Sequence, residues 1–453
     1  RLGLILEISS LEIDCTKQIF QLLITTDTDM FERQSNDLVK AALLLHTIKS
    51  DKNRLDVVLE LQRFLIRRIT LAERRINRVS RATANLRRSL ARDRLPKEQA
   101  KRIKTRIKDC ADVVEGLRYQ MFIWRCFGDG IAAAYQSKYA LKHLYYDQHY
   151  NVKEGAGFMT GKAGFRREWK LLNQGIRMGV PVVLADVTNI IRHGDLCALA
   201  GEDPFLIEVK SSKNRNARTT RQIGQLQDLA SFYANDGAEA FRGMGSVRRM
   251  ELRLTEVNHE ESANDCVAEA LKLGFATVEP EPGLLYVALT SRDSGDRLAG
   301  LFSPTIQPYV LAPSPDWLPA HPFTLSLNPD NLVQFLLGHV TVLVLIDLAL
   351  LKALFAQHRV YATMMMDGTH SVQVCKDPDD LYKGVFRVSE QRFGRIAGEF
   401  QSLAWFAEET ARSIDEVVPA VMTAEDLEAI KAEPKGCWEI PPDWHTVRDC
   451  FDV

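Results

Sequence analysis

A chain of 453 residues is too long for one ordinary core, so two to four domains are expected. It is 46% hydrophobic with a mean hydropathy of −0.16, which excludes a wholly disordered chain and fits a soluble globular one. The net charge of −1 hides a strong separation: residues 63–108 hold 17 Lys+Arg against three acids, a local net of +14, while 408–453 carry a net of −8. Such a segregated basic block suggests a polyanionic partner or an acidic surface in the same assembly. The eight cysteines are scattered with no C-x-x-C pair, which argues against a zinc ribbon or a disulfide framework and suggests a reducing cytoplasm.

The opening RLGLILEISSLEIDC is apolar but interrupted by acids, so no signal peptide is expected. Residues 1–50 read as short helices, with a polar break at Ser50–Asn53. From Arg54 to about Arg118 the apolar residues recur at three- and four-residue spacing. Pro96 stands where a second helix would start, which predicts two long helices folded into a basic hairpin. Two uses of that arm stay open. One is a coiled coil joining copies of the chain or a partner protein; the other is a grip on phosphates.

The aromatic-rich stretch 119–150 should pack the arm onto the central part of the chain. GAGFMTGKAGF then imitates a phosphate-binding loop without being one. Gly157 is one residue too close to Gly161-Lys162, Gly155 one too far, and Ala163 replaces the hydroxyl that would bind Mg²⁺. Residues 164–178 read as a helix in which Phe165, Trp169, Leu172 and Ile176 make the buried stripe and Glu168 lies on its margin. PVVLADVTNII is strand-like, and two short strands come next, Asp195–Leu199 and Phe205–Lys210. A helix over Arg218–Tyr233, with Ile223, Leu226, Leu229 and Ala230 as its stripe, closes the unit.

The strand period places chemistry. Phe205, Ile207 and Val209 should face the core, leaving Glu208 and Lys210 together on the opposite face. The turn Ala200-Gly201-Glu202-Asp203-Pro204 predicts a hairpin centred near residue 202, with Asp195 opposite Val209 and within reach of Glu208. Two carboxylates and an amine would then meet at one end of a hairpin. A phosphodiesterase needs that set: hard oxygens to hold Mg²⁺, and a cation to orient the attacking water. A salt bridge between Glu208 and Lys210 on a surface hairpin is the plain structural alternative. His193 either touches a phosphate or is merely exposed.

With Gly194-Asp195, a twelve-residue gap, and Glu208-Val209-Lys210 closing an apolar strand, the chain resembles the PD-(D/E)XK nucleases. Gly194 stands where the family name has proline. The resemblance covers about 70 residues. It implies an α/β core with one helix before the strands and one after, Asp195 and Glu208 as ligands of Mg²⁺ (Mn²⁺ as substitute), and Lys210 as assistant to the water. Glu168 matches an extra acidic residue on the preceding helix, and Gln225 the glutamine on the following one. Lys213, Arg215, Arg218 and Arg221 would make phosphate contacts.

The expected architecture is mixed α/β: a helical region over 1–125, a nuclease-like core over 126–245, and a C-terminal α+β domain over 246–453. The expected function is Mg²⁺-dependent endonucleolytic cleavage, of DNA in preference to RNA, in restriction or anti-phage defence. A nucleic-acid-binding or scaffold protein with a vestigial nuclease fold, and an RNase, are the other readings. Leu332–Leu351 is long and apolar, but Gln334, His339 and Asp347 predict a buried helix or strand-plus-helix rather than a membrane span.

Overall fold

The computed structural model describes residues 34–92, 95–155, 157–209, 217–245, 247–250, 252–290, 297–298, 300–315, 323–366, 368–377 and 385–421, with side chains undescribed at 217–219, 385 and 415–421. The expectations for residues 1–33 fall outside that set, as does a helix that the sequence predicts over 424–432. Among the described residues, those within Asp27–Val247 and Asn328–Val333 form one compact unit, and those within Arg248–Leu327 and Gln334–Val453 a second. The basic hairpin and the central sheet, on either side of the division expected near residue 125, both lie within the first of these units.

The first unit is built on three helices: α1 (Ser35–Ser50), α2 (Leu55–Arg92) and α3 (Lys97–Tyr135). Pro96 stands immediately before α3, where its missing N–H costs nothing. The hairpin has two unlike halves. In α2 the last buried residue is Ile76, and in α3 the first is Leu117; no described residue between them is buried. α3 outruns the expected end near Arg118 because Leu117, Met121, Trp124 and Ile131 recur at helical spacing and are all buried.

The rooted half carries a three-stranded antiparallel sheet, β1 (Val182–Leu184), β2 (Leu196–Ala198) and β3 (Phe205–Ile207), in that order. The backbone of β1 needs partners on its open side, and Gln62 of α2 supplies both. Its Nε2 donates to the Val182 carbonyl and its Oε1 accepts from the Leu184 N–H, each at 2.9 Å. Gln136 likewise donates to the carbonyls of Leu199 and Gly201. Gly128 lets α3 come close, since a Cβ there would stand 2.0 Å from the Val187 carbonyl oxygen. Helix α4 (Phe165–Arg177) precedes the sheet and α5 (Ala217–Ala234) comes after it.

Several expectations for this region need correcting. The register pairs Leu196 with Ile207 and Ala198 with Phe205, one residue off the predicted one, so its continuation sets Asp195 across from Glu208 instead of Val209. Phe205 is 64% exposed rather than in the core, because β3 is the edge strand. In α4 it is Glu168 itself that shares the buried stripe with Leu172 and Ile176, while Phe165 and Trp169 are half-buried. In α5 the buried residues are Leu229, Phe232 and Tyr233, whereas Ala230 is exposed. The two aromatics bury more area than an alanine and set the facing.

The second unit holds α6 (Glu260–Leu273) and a four-stranded antiparallel sheet of β4 (Phe275–Glu281), β5 (Leu284–Leu289), β6 (Ile306–Leu311) and β7 (Thr341–Asp347), in the order β4-β5-β7-β6. Phe275, Val287, Leu343 and Leu345 form its core. The apolar stretch 332–351 comprises the end of a short helix (Pro329–Leu336), the central strand β7, and the start of α7 (Leu348–Gln357). Asp347 is the cap of α7, accepting from the N–H groups of Ala349 and Leu350. No described helix is long and apolar enough to cross a membrane. A second antiparallel sheet, β8 (Tyr361–Met364), β9 (His370–Cys375) and β10 (Val385–Ser389), leads into α8 (Glu390–Gly398) and α9 (Leu403–Val421).

Candidate active site

Asp195 enters β2 on the heels of Gly194, whose φ of +71° is open to glycine and closed to proline, fixed near −65°. A Cβ at Gly194 would also stand 3.1 Å from the Ile207 carbonyl oxygen. A proline could not occupy this position. Asp195 is held on both sides: its N–H donates to the Ile207 carbonyl, its carbonyl accepts from the Ala185 N–H, and Oδ2 accepts from the Val209 N–H at 2.9 Å. That leaves Oδ1 for other work.

Oδ1 accepts from the Lys162 ammonium at 3.1 Å, and the same ammonium donates to Asp186 Oδ2 at 2.9 Å. Glu168 Oε2 lies 3.0 Å from it but out of line for a hydrogen bond, so this buried oxygen has no hydrogen-bond partner. One lysine thus gathers three carboxylates from three places: α4, the turn after β1, and the start of β2. Gly164 makes the room, since a Cβ there would stand 2.8 Å from Glu168 Oε1. Burial works against the Lys162 charge, but the hydrogen bond and charge of Asp186, then Asp195 and Glu168, outweigh it and raise its pKa. The Glu168 carboxyl is pushed up, by burial first, with Lys162 pulling it down.

Lys162 and Asp186 are the residues that the motif reading missed. Lys162 falls within the false phosphate loop, a pattern that bears on nucleotide binding and says nothing of an ion pair. Asp186 ends an apolar strand run, and that was its one signal. The loop bearing Lys162 is pinned to α2 by Glu73, which is fully buried and accepts from the N–H groups of Met159 and Thr160 and from the Thr160 hydroxyl, at 2.9, 2.8 and 2.6 Å.

Of the expected site residues, Glu168 and Asp195 come together through Lys162. Glu208 is half-buried one residue beyond β3, and its charge acts on Lys153. Lys210, Lys213 and Arg215 lie outside the described residues, as does the side chain of Arg218. Arg221 is exposed on α5. Gln225 is half-buried and lines a cavity of about 310 Å³ with His193, Asp228 and Arg242.

His193 is neither exposed nor free to meet a phosphate, which corrects the sequence reading. It is 4% exposed, with Nδ1 3.1 Å from Lys153 Nζ and Nε2 2.9 Å from the Tyr146 carbonyl. An ammonium only donates, so Nδ1 accepts and the ring proton sits on Nε2, donated to Tyr146. Burial, then the Lys153 charge, brings the His193 pKa down to about 4.

The oxygens around Lys162 stand at ammonium distances, longer than the ~2.1 Å that Mg²⁺ requires. Among the described residues no three His, Cys, Asp or Glu side chains are arranged to hold a metal ion. The donor chemistry nonetheless suits a hard cation: carboxylate oxygens only, one of them buried and short of a partner. No family model, curated protein or solved structure matches the chain.

Proposed function

We propose that the unit built on α4, the β1–β3 sheet and α5 is a Mg²⁺-dependent nuclease core of the PD-(D/E)XK type, acting on DNA. The observation that carries the reading is the meeting of Glu168 with Asp195 at the mouth of β2, in a helix–three-strand–helix order, with Glu208 set across from Asp195 by the strand register. Asp195, Glu208 and Glu168 would hold Mg²⁺ or Mn²⁺. When bound, the ion supplies a lowered pKa for the attacking water and charge to offset that of the phosphate. Lys210 would orient the water, and Gln225 lines a cavity together with His193. Arg221, with Lys213, Arg215 and Arg218, positions the strand by its phosphates. Restriction or anti-phage defence is the setting this reading favours. Among the described residues no cysteine is in a disulfide, and a reducing cytoplasm is the compartment this reading proposes.

The test is incubation of the whole chain with supercoiled plasmid, single-stranded DNA and RNA, each with Mg²⁺ or EDTA. Mg²⁺-dependent cutting of either DNA supports the proposal, and cutting of RNA alone makes it an RNase. Binding without cutting favours the second reading, a nucleic-acid-binding scaffold with a vestigial core. The exposed arm speaks for that one: Arg74, Arg75, Arg78, Arg81, Arg87 and Arg88 are all exposed on α2 beyond or beside its last buried turn. If the arm grips nucleic acid, affinity falls steeply with salt, because each phosphate contact returns a counterion. Replacing Arg87, Arg88 and Arg102 by Glu should then reduce the log–log slope by about 3. An unchanged slope with loss of an oligomer makes the arm an assembly device instead.

A further inference from the structure

Three carboxylates share one ammonium, and the way they do so separates this cluster from an ordinary surface ion pair. Lys162 Nζ stands 3.0 Å from Glu168, 2.9 Å from Asp186 and 3.1 Å from Asp195. It has three protons to give and accepts none, so it serves all three acids as their common counter-charge. Glu168 is 1% exposed, and its Oε2 faces that ammonium with no hydrogen bond to any group. A carboxylate so buried needs a cation close by.

The lysine is also the easiest part to move. The backbone on its N-terminal side is fixed by the three hydrogen bonds to Glu73, and the Lys162 N–H donates to the Met159 carbonyl at 3.1 Å. The carboxylates are carried by α4, by the turn after β1 and by the start of β2. The Lys162 side chain is 29% exposed, so a path to solvent lies open to it. Exchanging the ammonium for another cation therefore needs rotation about a few side-chain bonds and no rebuilding of the loop.

We propose that Glu168, Asp186 and Asp195 form a divalent-cation site with a built-in competitor: Lys162 neutralises the three carboxylates until Mg²⁺ or Mn²⁺ displaces it. Asp186 is then a ligand that the nuclease motif does not supply. This rests on the metal-dependent reading of the site, though not on cleavage of any substrate. A site that must first eject its own counter-ion binds cation more weakly, by the fraction of molecules in which the lysine is already out. Metal dependence would accordingly set in at higher concentration than three carboxylates alone require.

The experiment is calorimetric titration of the full chain with MgCl₂ or MnCl₂, without nucleic acid. Lys162→Met, which keeps the stem and removes the charge, should tighten binding by about tenfold or more. Asp186→Asn should weaken it by about tenfold or more. Equal or weaker binding by Lys162→Met overturns the proposal, as does unchanged binding by Asp186→Asn. Should Lys162→Met fail to fold, the wild-type chain gives an independent reading. Reductive methylation of lysines, quantified by mass spectrometry, should label Lys162 severalfold faster with Mn²⁺ present, and no rise in labelling overturns the idea. Release of Lys162 by Mn²⁺ with no nucleic acid cut would sink the nuclease reading alone. Cleavage with Lys162 protected throughout would sink this inference alone.

Discussion

Glu73 and Asp129, on the helical side of the first unit, and Glu168, Asp186 and Asp195, on its sheet side, are carboxylates largely removed from water and satisfied in opposite ways. Glu73 accepts from two backbone N–H groups and a hydroxyl; Asp129 accepts from the N–H groups of Asn189 and Ile190 and from the Asn189 side chain. Their partners are mostly main chain, so each ties a loop to a long helix and cannot change partner without unfolding that loop. The sheet-side acids meet instead on one lysine side chain. Acids saturated by amides are parts of the scaffold, whereas acids gathered on a side-chain cation are open to exchange. Burial alone does not separate the two groups, since Glu168 is as buried as Asp129.

The contrast is broken most directly by removing one acid from each group. Asp195→Ala or Glu208→Ala should lower Mg²⁺-dependent plasmid cleavage by about 10³-fold or more, on the scale of losing a metal ligand or a key electrostatic stabiliser. The cost in stability should stay within a few kcal/mol, since the Asp195 carboxylate gives up two hydrogen bonds, from Val209 N–H and Lys162, at about 1.5 kcal/mol each. Full activity in either variant would end the assignment; unfolding of both would move these acids into the scaffold class. Glu73→Leu should reverse the pattern. It strands the Met159 N–H in the interior, takes the acceptor from the part-buried Thr160 N–H and hydroxyl, and should cost about 2 kcal/mol or more in urea unfolding. It should also raise labelling of Lys162 in the absence of cation, as the loop loosens. A loss under 1 kcal/mol would show that water can reach those donors.

The sequence disclosed the parts that periodicity and turn chemistry control. The hairpin helices, the order of α4, three strands and α5, and the strand pair before and after Gly201 come from apolar spacing and from the Gly-Glu-Asp-Pro turn. The register slipped by one residue because a loop longer than two residues does not fix its own centre. Phe205 looked internal because alternation says which face a residue takes and nothing about whether that face is covered at a sheet edge. Lys162 and Asp186 were beyond reach for a different reason. Lys162 sits in irregular backbone and Asp186 in a single 3-10 turn, 33 and nine residues from Asp195 in the chain. Their meeting depends on how α2 holds the loop through Glu73, a tertiary fact with no local signature. His193, two residues from Asp195, misled by proximity: its ring turns toward Tyr146 and Lys153.

The finest distinction between the two groups is in how pH reads them, and Asp129 is the acid on which to test it. Its carboxyl is 2% exposed and accepts hydrogen bonds of 2.7, 3.0 and 2.9 Å. Burial pushes its pKa up from 3.8 to about 6, and the amide donors recover only part of that. Proton counts give the sign. Between pH 3.8 and about 6 the folded chain holds a proton that the unfolded chain has released, so stability falls as pH rises through that window and is level on either side. The loss from this one group is at most about 3 kcal/mol. Asp129→Asn keeps the shape and abolishes the titration. Urea unfolding of both proteins at pH 4, 5, 6 and 7 cancels every other titrating group in the difference. The wild-type advantage over the variant should shrink from pH 4 to about pH 6 and level off by pH 7. An advantage that grows instead would mean that the three donors hold Asp129 ionised, and that its charge belongs to the scaffold as firmly as its hydrogen bonds do.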